Sequence, residues 1–124
     1  MKVYKHSEFA KWAQKENLSD GVLLNALDEI KQGLVDANLG GGLYKKRVAV
    51  NNKGKSGGVR ILLAYQIKSV AFFIYGFAKN DRDNISASEL KQLKMYAQLL
   101  LSFDIKQLSI MAEQKEIIEV YDER

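Results

Sequence analysis

The stretch Gly58–Lys79, GVRILLAYQIKSVAFFIYGFAK, decides the fold. Val, Ile, Leu, Tyr and Phe dominate it, and Lys68-Ser69 is its polar interruption. Branched and aromatic side chains pack well on a pleated surface, so such runs favour extended backbone. Two strands are predicted, Gly58–Ile67 and Val70–Lys79, joined by a link short enough for a tight hairpin. Upstream, Gly42–Val50 carries the same kind of pattern, and the turn-like segment Asn51–Gly57 separates it from Gly58. Three consecutive antiparallel strands, a meander, follow from this order.

The flanks change period. Phe9, Trp12 and Ala13 share one helical face, with Ser7 as the expected N-cap. Leu23, Ala26, Leu27, Ile30 and Leu34 repeat at helical spacing after Ser19, another cap residue, and Gly40 ends that region. Beyond the meander, Ser86-Ala-Ser-Glu89 matches a capping box, followed by Leu90, Leu93, Ala97, Leu100 and Leu101. A short helix is expected over Asp104 to about Gln114, then a terminal strand around Ile117–Tyr121. Val3-Tyr4 reads as a short edge strand. The fold class is α+β, a small antiparallel sheet of three meander strands and a short terminal strand, packed on N-terminal and C-terminal helices. At 124 residues, 47% hydrophobic and 27% charged, the chain fits a single domain, residues 1–124, with one modest core.

Alternation along the strands sorts their side chains. Val59, Ile61, Leu63 and Tyr65 are expected to pack on the helices, leaving Arg60 on an open face. If Val48 points inward, Lys45 and Arg47 lie beside Arg60, and Lys46 snorkels at the margin. Lys79 closes the third strand and Arg82 follows it. For Phe73, Tyr75 and Phe77, which share parity with Lys79, two arrangements fit. Either the rings face the open side, where Tyr75 can stack on a nucleobase, or they face the helices and Lys79 escapes through a bend at Gly76.

Charge is unevenly distributed. Net charge is only +4, yet no acidic residue occurs between Asp36 and Asp81. That window holds eight cations, Lys45, Lys46, Arg47, Lys53, Lys55, Arg60, Lys68 and Lys79, while the rest of the chain has 11 basic and 15 acidic residues. Such a block points to a polyanionic partner. Gly54-Lys55-Ser56 imitates the end of a phosphate-binding P-loop, but Ala49 stands where its first glycine belongs and a strand-like run follows. A P-loop must enter a helix, whose N-terminal amides hold the phosphates, so nucleoside triphosphate binding is rejected. Lys53 and Lys55 are expected to project from a hairpin loop toward nucleic acid instead.

The chain has no cysteine, which excludes disulfides, thiolate metal sites and a cysteine nucleophile. No cluster of metal ligands is visible, and no cofactor motif. The apolar runs are too short to cross a bilayer and the N-terminus lacks a signal-peptide core, so a soluble cytoplasmic protein without a membrane partner is expected.

The segments GGLYKKRVAV, GKSGGVRILLAY and AFFIYGFAKNDRDNIS together resemble the RelE/ParE superfamily of type II toxin–antitoxin toxins. The similarity is greatest to the RelE-like branch with an extended C-terminus, and GLVDANLGG and IIEVYDE fit that branch too. The resemblance implies an mRNA interferase, an endoribonuclease often acting on mRNA in the ribosome, silenced by a cognate antitoxin from an adjacent gene. By position, Lys45 and Arg47 resemble the family's basic pair, Arg60 the arginine after the glycine turn, and Lys79 and Arg82 the basic cluster closing the third strand. The implied reaction needs no metal. The RNA 2′-hydroxyl attacks, Arg47 and Arg60 stabilise the phosphorane, and Lys45 is the candidate base. The segment after Arg82, DNISAS, lacks the tyrosine or histidine that several superfamily ribonucleases carry there, and Tyr121 is the candidate substitute. Two alternatives stand beside this reading: a ParE-like toxin that inhibits DNA gyrase without nuclease activity, and a basic RNA-binding module.

Overall fold

The computed structural model describes residues 1–50, 58–79, 82 and 84–124. Its elements, in chain order, are β1 (Lys2–His6), α1 (Ser7–Lys15), α2 (Asp20–Lys31), β2 (Ala37–Gly40), β3 (Leu43–Val48), β4 (Val59–Gln66), β5 (Val70–Ala78), α3 (Ala87–Ser102), α4 (Ile105–Glu113) and β6 (Ile117–Glu119). The strands form one sheet in the order β2-β3-β4-β5-β1-β6. All pairings are antiparallel except β1 with β5. The fold is α+β, as the sequence implies, and β3-β4-β5 is the expected meander. Two features differ from expectation. Ala37–Gly40 pairs with β3 as a further strand instead of continuing the second helix. The N-terminal strand lies inside the sheet, between β5 and β6, and not at its edge.

Capping explains where the helices begin. Ser19 Oγ accepts from the Val22 amide at 3.2 Å. Capping boxes open α3, through Ser86 and Glu89, and α4, through Asp104 and Gln107; each satisfies two otherwise orphaned donors. At α1 the cap is His6, not Ser7: its Nδ1 accepts from the Glu8 amide at 3.1 Å. Between β2 and β3, Gly40, Gly41 and Gly42 have φ of 89°, 63° and 83°. Only glycine adopts three such values in succession at little cost, which is why the turn is built from it.

The largest correction concerns the faces of the sheet. Val59, Ile61, Leu63 and Tyr65 pack against Phe9, Ala13, Leu23 and Leu27 of α1 and α2, as alternation requires. The opposite side is covered as well: Leu62 and Ala64 lie in a second core with Phe72, Ala97, Leu100 and Leu108. Helices therefore clothe both faces, and β4 is buried from Val59 to Tyr65. Arg60 shares the α3 side and is only 9% exposed, so it does not stand on an open face.

A β-bulge settles the direction of the β5 rings. Leu62 pairs with Tyr75, but Leu63 pairs with Phe73, leaving Ile74 as the extra residue. An added residue reverses side-chain parity. Phe73 consequently stacks on Phe9 at 5.7 Å beneath α1, while Tyr75 faces α3 and packs on its core. The switch occurs at Ile74, not at Gly76. Gly76 has a different purpose: the Trp12 ring occupies the space where any Cβ at this position would stand.

Candidate functional site

Strand register assembles most of the candidate cations. Arg47 on β3 is the direct partner of Arg60 on β4, and Arg60 is the partner of Phe77 on β5. One pleat further along, Lys45, Leu62 and Tyr75 form the adjoining row. Both rows lie on the α3 side. Lys79 follows the end of β5, where its amide donates to the Gly58 carbonyl at 3.3 Å, and it is exposed. Lys45, Arg47, Arg60 and Lys79 thus gather at the end of the sheet where β3 and β5 finish and β4 begins.

Two carboxylates hold candidate cations in place, Asp36 on Arg47 and Glu89 on Arg82. The Arg47 backbone and side-chain nitrogens donate to both oxygens of Asp36, the Nε bond measuring 2.7 Å. Partial burial pushes the Asp36 carboxyl upward. The hydrogen bonds from Arg47 and the charges of Arg47 and Lys46 outweigh it, and the net shift is downward. The Arg47 side chain remains 48% exposed, so its guanidinium is fixed at one edge and accessible at another.

Arg82 is fixed more completely. Its guanidinium donates to Glu89 Oε2 at 2.9 Å and Oε1 at 2.5 Å, to the Tyr75 hydroxyl at 3.2 Å and to the Asn84 carbonyl at 2.9 Å. It also lies 5.8 Å from the centre of the Phe77 ring, within cation–π range. Bidentate bonding of this kind fixes a guanidinium plane. The Arg82 hydrogen bonds, then those from Ser86, pull the Glu89 carboxyl down to about 2, and the same contact raises Arg82. Glu89 therefore does two things at once: it caps α3 through the Ser86 amide and anchors Arg82. The capping motif was visible in sequence; the ion pair was not, because Arg82 and Glu89 meet only when the chain turns between β5 and α3. Asp36 has a weak sequence signal, since it is the last acidic residue before the cationic window.

Other expected site residues fall elsewhere. Lys46 does not snorkel at a margin. It is 5% exposed, points to the α2 side and pairs with Glu29 at 2.6 Å. Tyr121 follows β6, the far edge strand, so β5 and β1 stand between that strand and β4. Its hydroxyl donates to Glu119 and its ring lines a different depression with Ser19 and Asp20. It is not a member of the cationic cluster. Lys53 and Lys55 lie outside the described residues. Among those residues no group of three or more His, Asp and Glu is placed to hold a metal ion, and no helix is long and apolar enough to cross a membrane.

Beside Arg82, between β5 and α3, a cleft of about 400 Å³ is lined by His6, Tyr75, Glu89 and Tyr96 among others. It was not foreseen, because its walls come from β1, β5, α1 and α3. Comparison with known families gives a match over residues 1–120 to the RelE toxin of the RelE/RelB toxin–antitoxin system. No curated protein matches the chain.

Proposed function

We propose, from the premise that the chain belongs to the RelE family of toxin–antitoxin toxins, that it arrests growth by cutting mRNA, with the ribosome presenting the substrate. The observation that carries this reading is the direct cross-strand pairing of Arg47 with Arg60, flanked by Lys45 and Lys79. Like charges placed opposite one another on a sheet are unfavourable. Asp36 offsets part of that repulsion through Arg47; an RNA phosphodiester held at this end of the sheet offsets more, and a phosphorane, carrying more negative charge, more again.

In this mechanism the 2′-hydroxyl attacks the adjacent phosphorus and the bond to the 5′-oxygen breaks. The products are a 2′,3′-cyclic phosphate and a 5′-hydroxyl. Lys45, reacting as the free amine, takes the 2′-proton, Arg47 and Arg60 stabilise the pentavalent state, and a proton from water completes the leaving 5′-hydroxyl. Lys79 and Arg82 hold flanking phosphates. Arg82 enters the reaction already oriented by Glu89 and Tyr75, so little reorganisation accompanies binding. Tyr75 offers a ring for stacking at the same margin.

The family's partner is a cognate antitoxin. An acidic segment laid over the cationic face is the simplest silencing device, since opposite charge speeds association and masks the phosphate site together. The test of the function is a translating extract with purified toxin. Fragmentation of mRNA, reversed by the antitoxin, supports the reading. Intact mRNA with inhibited supercoiling by gyrase overturns it in favour of a ParE-like activity.

A further inference from the structure

We propose that Asp36 is a positioning residue for the reaction: it holds the Arg47 guanidinium in the orientation that meets the phosphorane, which makes cleavage faster and RNA binding weaker. The inference rests on the RNA reading above. Asp36 ends the link from α2 to β2 and is itself fixed, because its amide donates to the Lys45 carbonyl at 3.0 Å. From there its carboxylate accepts at two points of Arg47, from the main-chain amide through Oδ2 and from Nε, at 2.7 Å, through Oδ1. One carboxylate bonded to both the backbone and the side chain of the same residue restricts the guanidinium plane. The contact engages Nε and leaves the two Nη groups to meet a phosphate, on a side chain that is half exposed.

The residue between the two site cations is anchored on the other face. Lys46 pairs with Glu29 of α2 at 2.6 Å, while Lys45 and Arg47 project to the α3 side. The segment Lys45-Lys46-Arg47 is thus held from both sides by carboxylates of one connection, Glu29 in the last turn of α2 and Asp36 just before β2. A carboxylate this close to Arg47 cancels part of its charge and weakens its attraction for the phosphate of bound RNA. For affinity alone, an uncharged acceptor would serve better. Ground-state affinity, however, does not speed the chemical step. A donor already aimed at the charge that develops does, because nothing has to reorganise as that charge forms. An arginine without such a restraint is spread over many rotamers.

Asp36→Asn keeps an acceptor and removes the charge. Two measurements on the full chain separate the effects: affinity for ribosomes carrying a transcript 2′-O-methylated at the cut site, which is held and not cut, and single-turnover cleavage of the unmodified transcript. The expected result is a split. The variant binds about two- to fivefold more tightly, as for removal of one charge several ångströms from a phosphate. It cleaves about ten- to a hundredfold more slowly, the scale of a small misplacement of a catalytic group. Loss of fold lowers both quantities, so tighter binding also shows that the variant is folded. With Arg47→Gln already present, the same change is expected to slow cleavage no further, since Asp36 acts through Arg47. Asp36→Glu, which restores the charge on a longer arm, is expected to return affinity to wild type and recover part of the rate. Undiminished cleavage by Asp36→Asn, binding and cleavage that fall together, or full additivity with Arg47→Gln overturns the positioning role and leaves the RNA reading standing. A wild-type chain that neither binds these ribosomes nor cuts the transcript overturns the RNA reading itself.

Discussion

Replacing Arg60 with methionine separates its charge from its bulk. The side chain is 9% exposed and lies between Arg47 and Phe77 in strand register. Truncation to alanine therefore opens a cavity as well as removing a cation, and large-to-small changes at buried positions typically cost about 2–5 kcal/mol. Methionine keeps most of the aliphatic volume, and volume-conserving changes usually cost less than about 1.5 kcal/mol. The chemical effect is larger. Removing one preorganised group that stabilises developing charge costs about 2.7–4 kcal/mol, a fall of about a hundred- to a thousandfold in rate. The assay is single-turnover cleavage of a ribosome-bound transcript, with thermal melting of the same samples. Arg60→Met is expected to melt within a few degrees of wild type and to cleave at least about a hundredfold more slowly. Arg60→Ala should lose both stability and activity. Wild-type cleavage by a folded Arg60→Met protein would refute the assignment of Arg60 to charge stabilisation.

Gly76→Ala should destabilise the fold by about 1–3 kcal/mol, because the new methyl meets the Trp12 ring; adding Trp12→Ala should produce less than the additive loss in a double-mutant cycle read by denaturant melts. Glu89→Gln keeps a capping side chain but loses the charge on Arg82. Because the folded Glu89 carboxyl titrates at about 2 rather than 4.5, its contribution is complete above pH 4.5 and disappears as pH falls toward 2. The gap in stability between wild type and Glu89→Gln should close over that window, and a gap independent of pH contradicts the ion pair. Binding of a non-cleavable RNA should weaken with salt at a log–log slope of about −3 if Arg47, Arg60, Lys79 and Arg82 each contact one phosphate, at roughly −0.7 per contact for single strands. A flat response removes phosphate binding from these cations.

Local chemistry carried much of this structure. The meander was legible because branched and aromatic residues cluster between glycine-rich turns, and α3 because Ser86 and Glu89 announce its start. That Arg47 and Arg60 share a face followed from alternation once Val48 was taken to point inward; their direct pairing is a matter of register, which alternation does not give. What alternation could not give was the Ile74 bulge, which reverses parity halfway along β5 and sends Phe73 and Tyr75 to opposite sides. The covered second face had a signal: Leu62 and Ala64 make β4 apolar on both sides, the pattern of a strand buried between two layers. Arg60 in their midst drew the reading toward an open surface. β1 was misplaced because its neighbour, β5, is distant in sequence, and such pairings leave no local trace. The ion pairs made by Asp36 and Glu89 escaped notice because each forms only once a turn of the chain brings its partners together, although they hold two of the cations in position.

The central claim is that these cations stabilise attack by a ribose 2′-hydroxyl. It is tested most directly by mapping the termini left on a ribosome-bound transcript, alongside the same transcript with one 2′-deoxy substitution 5′ to the cut. A 2′,3′-cyclic phosphate facing a 5′-hydroxyl, with no cleavage of the deoxy-substituted site, is the expected result. A 5′-phosphate terminus, or undiminished cutting at the deoxy site, contradicts it.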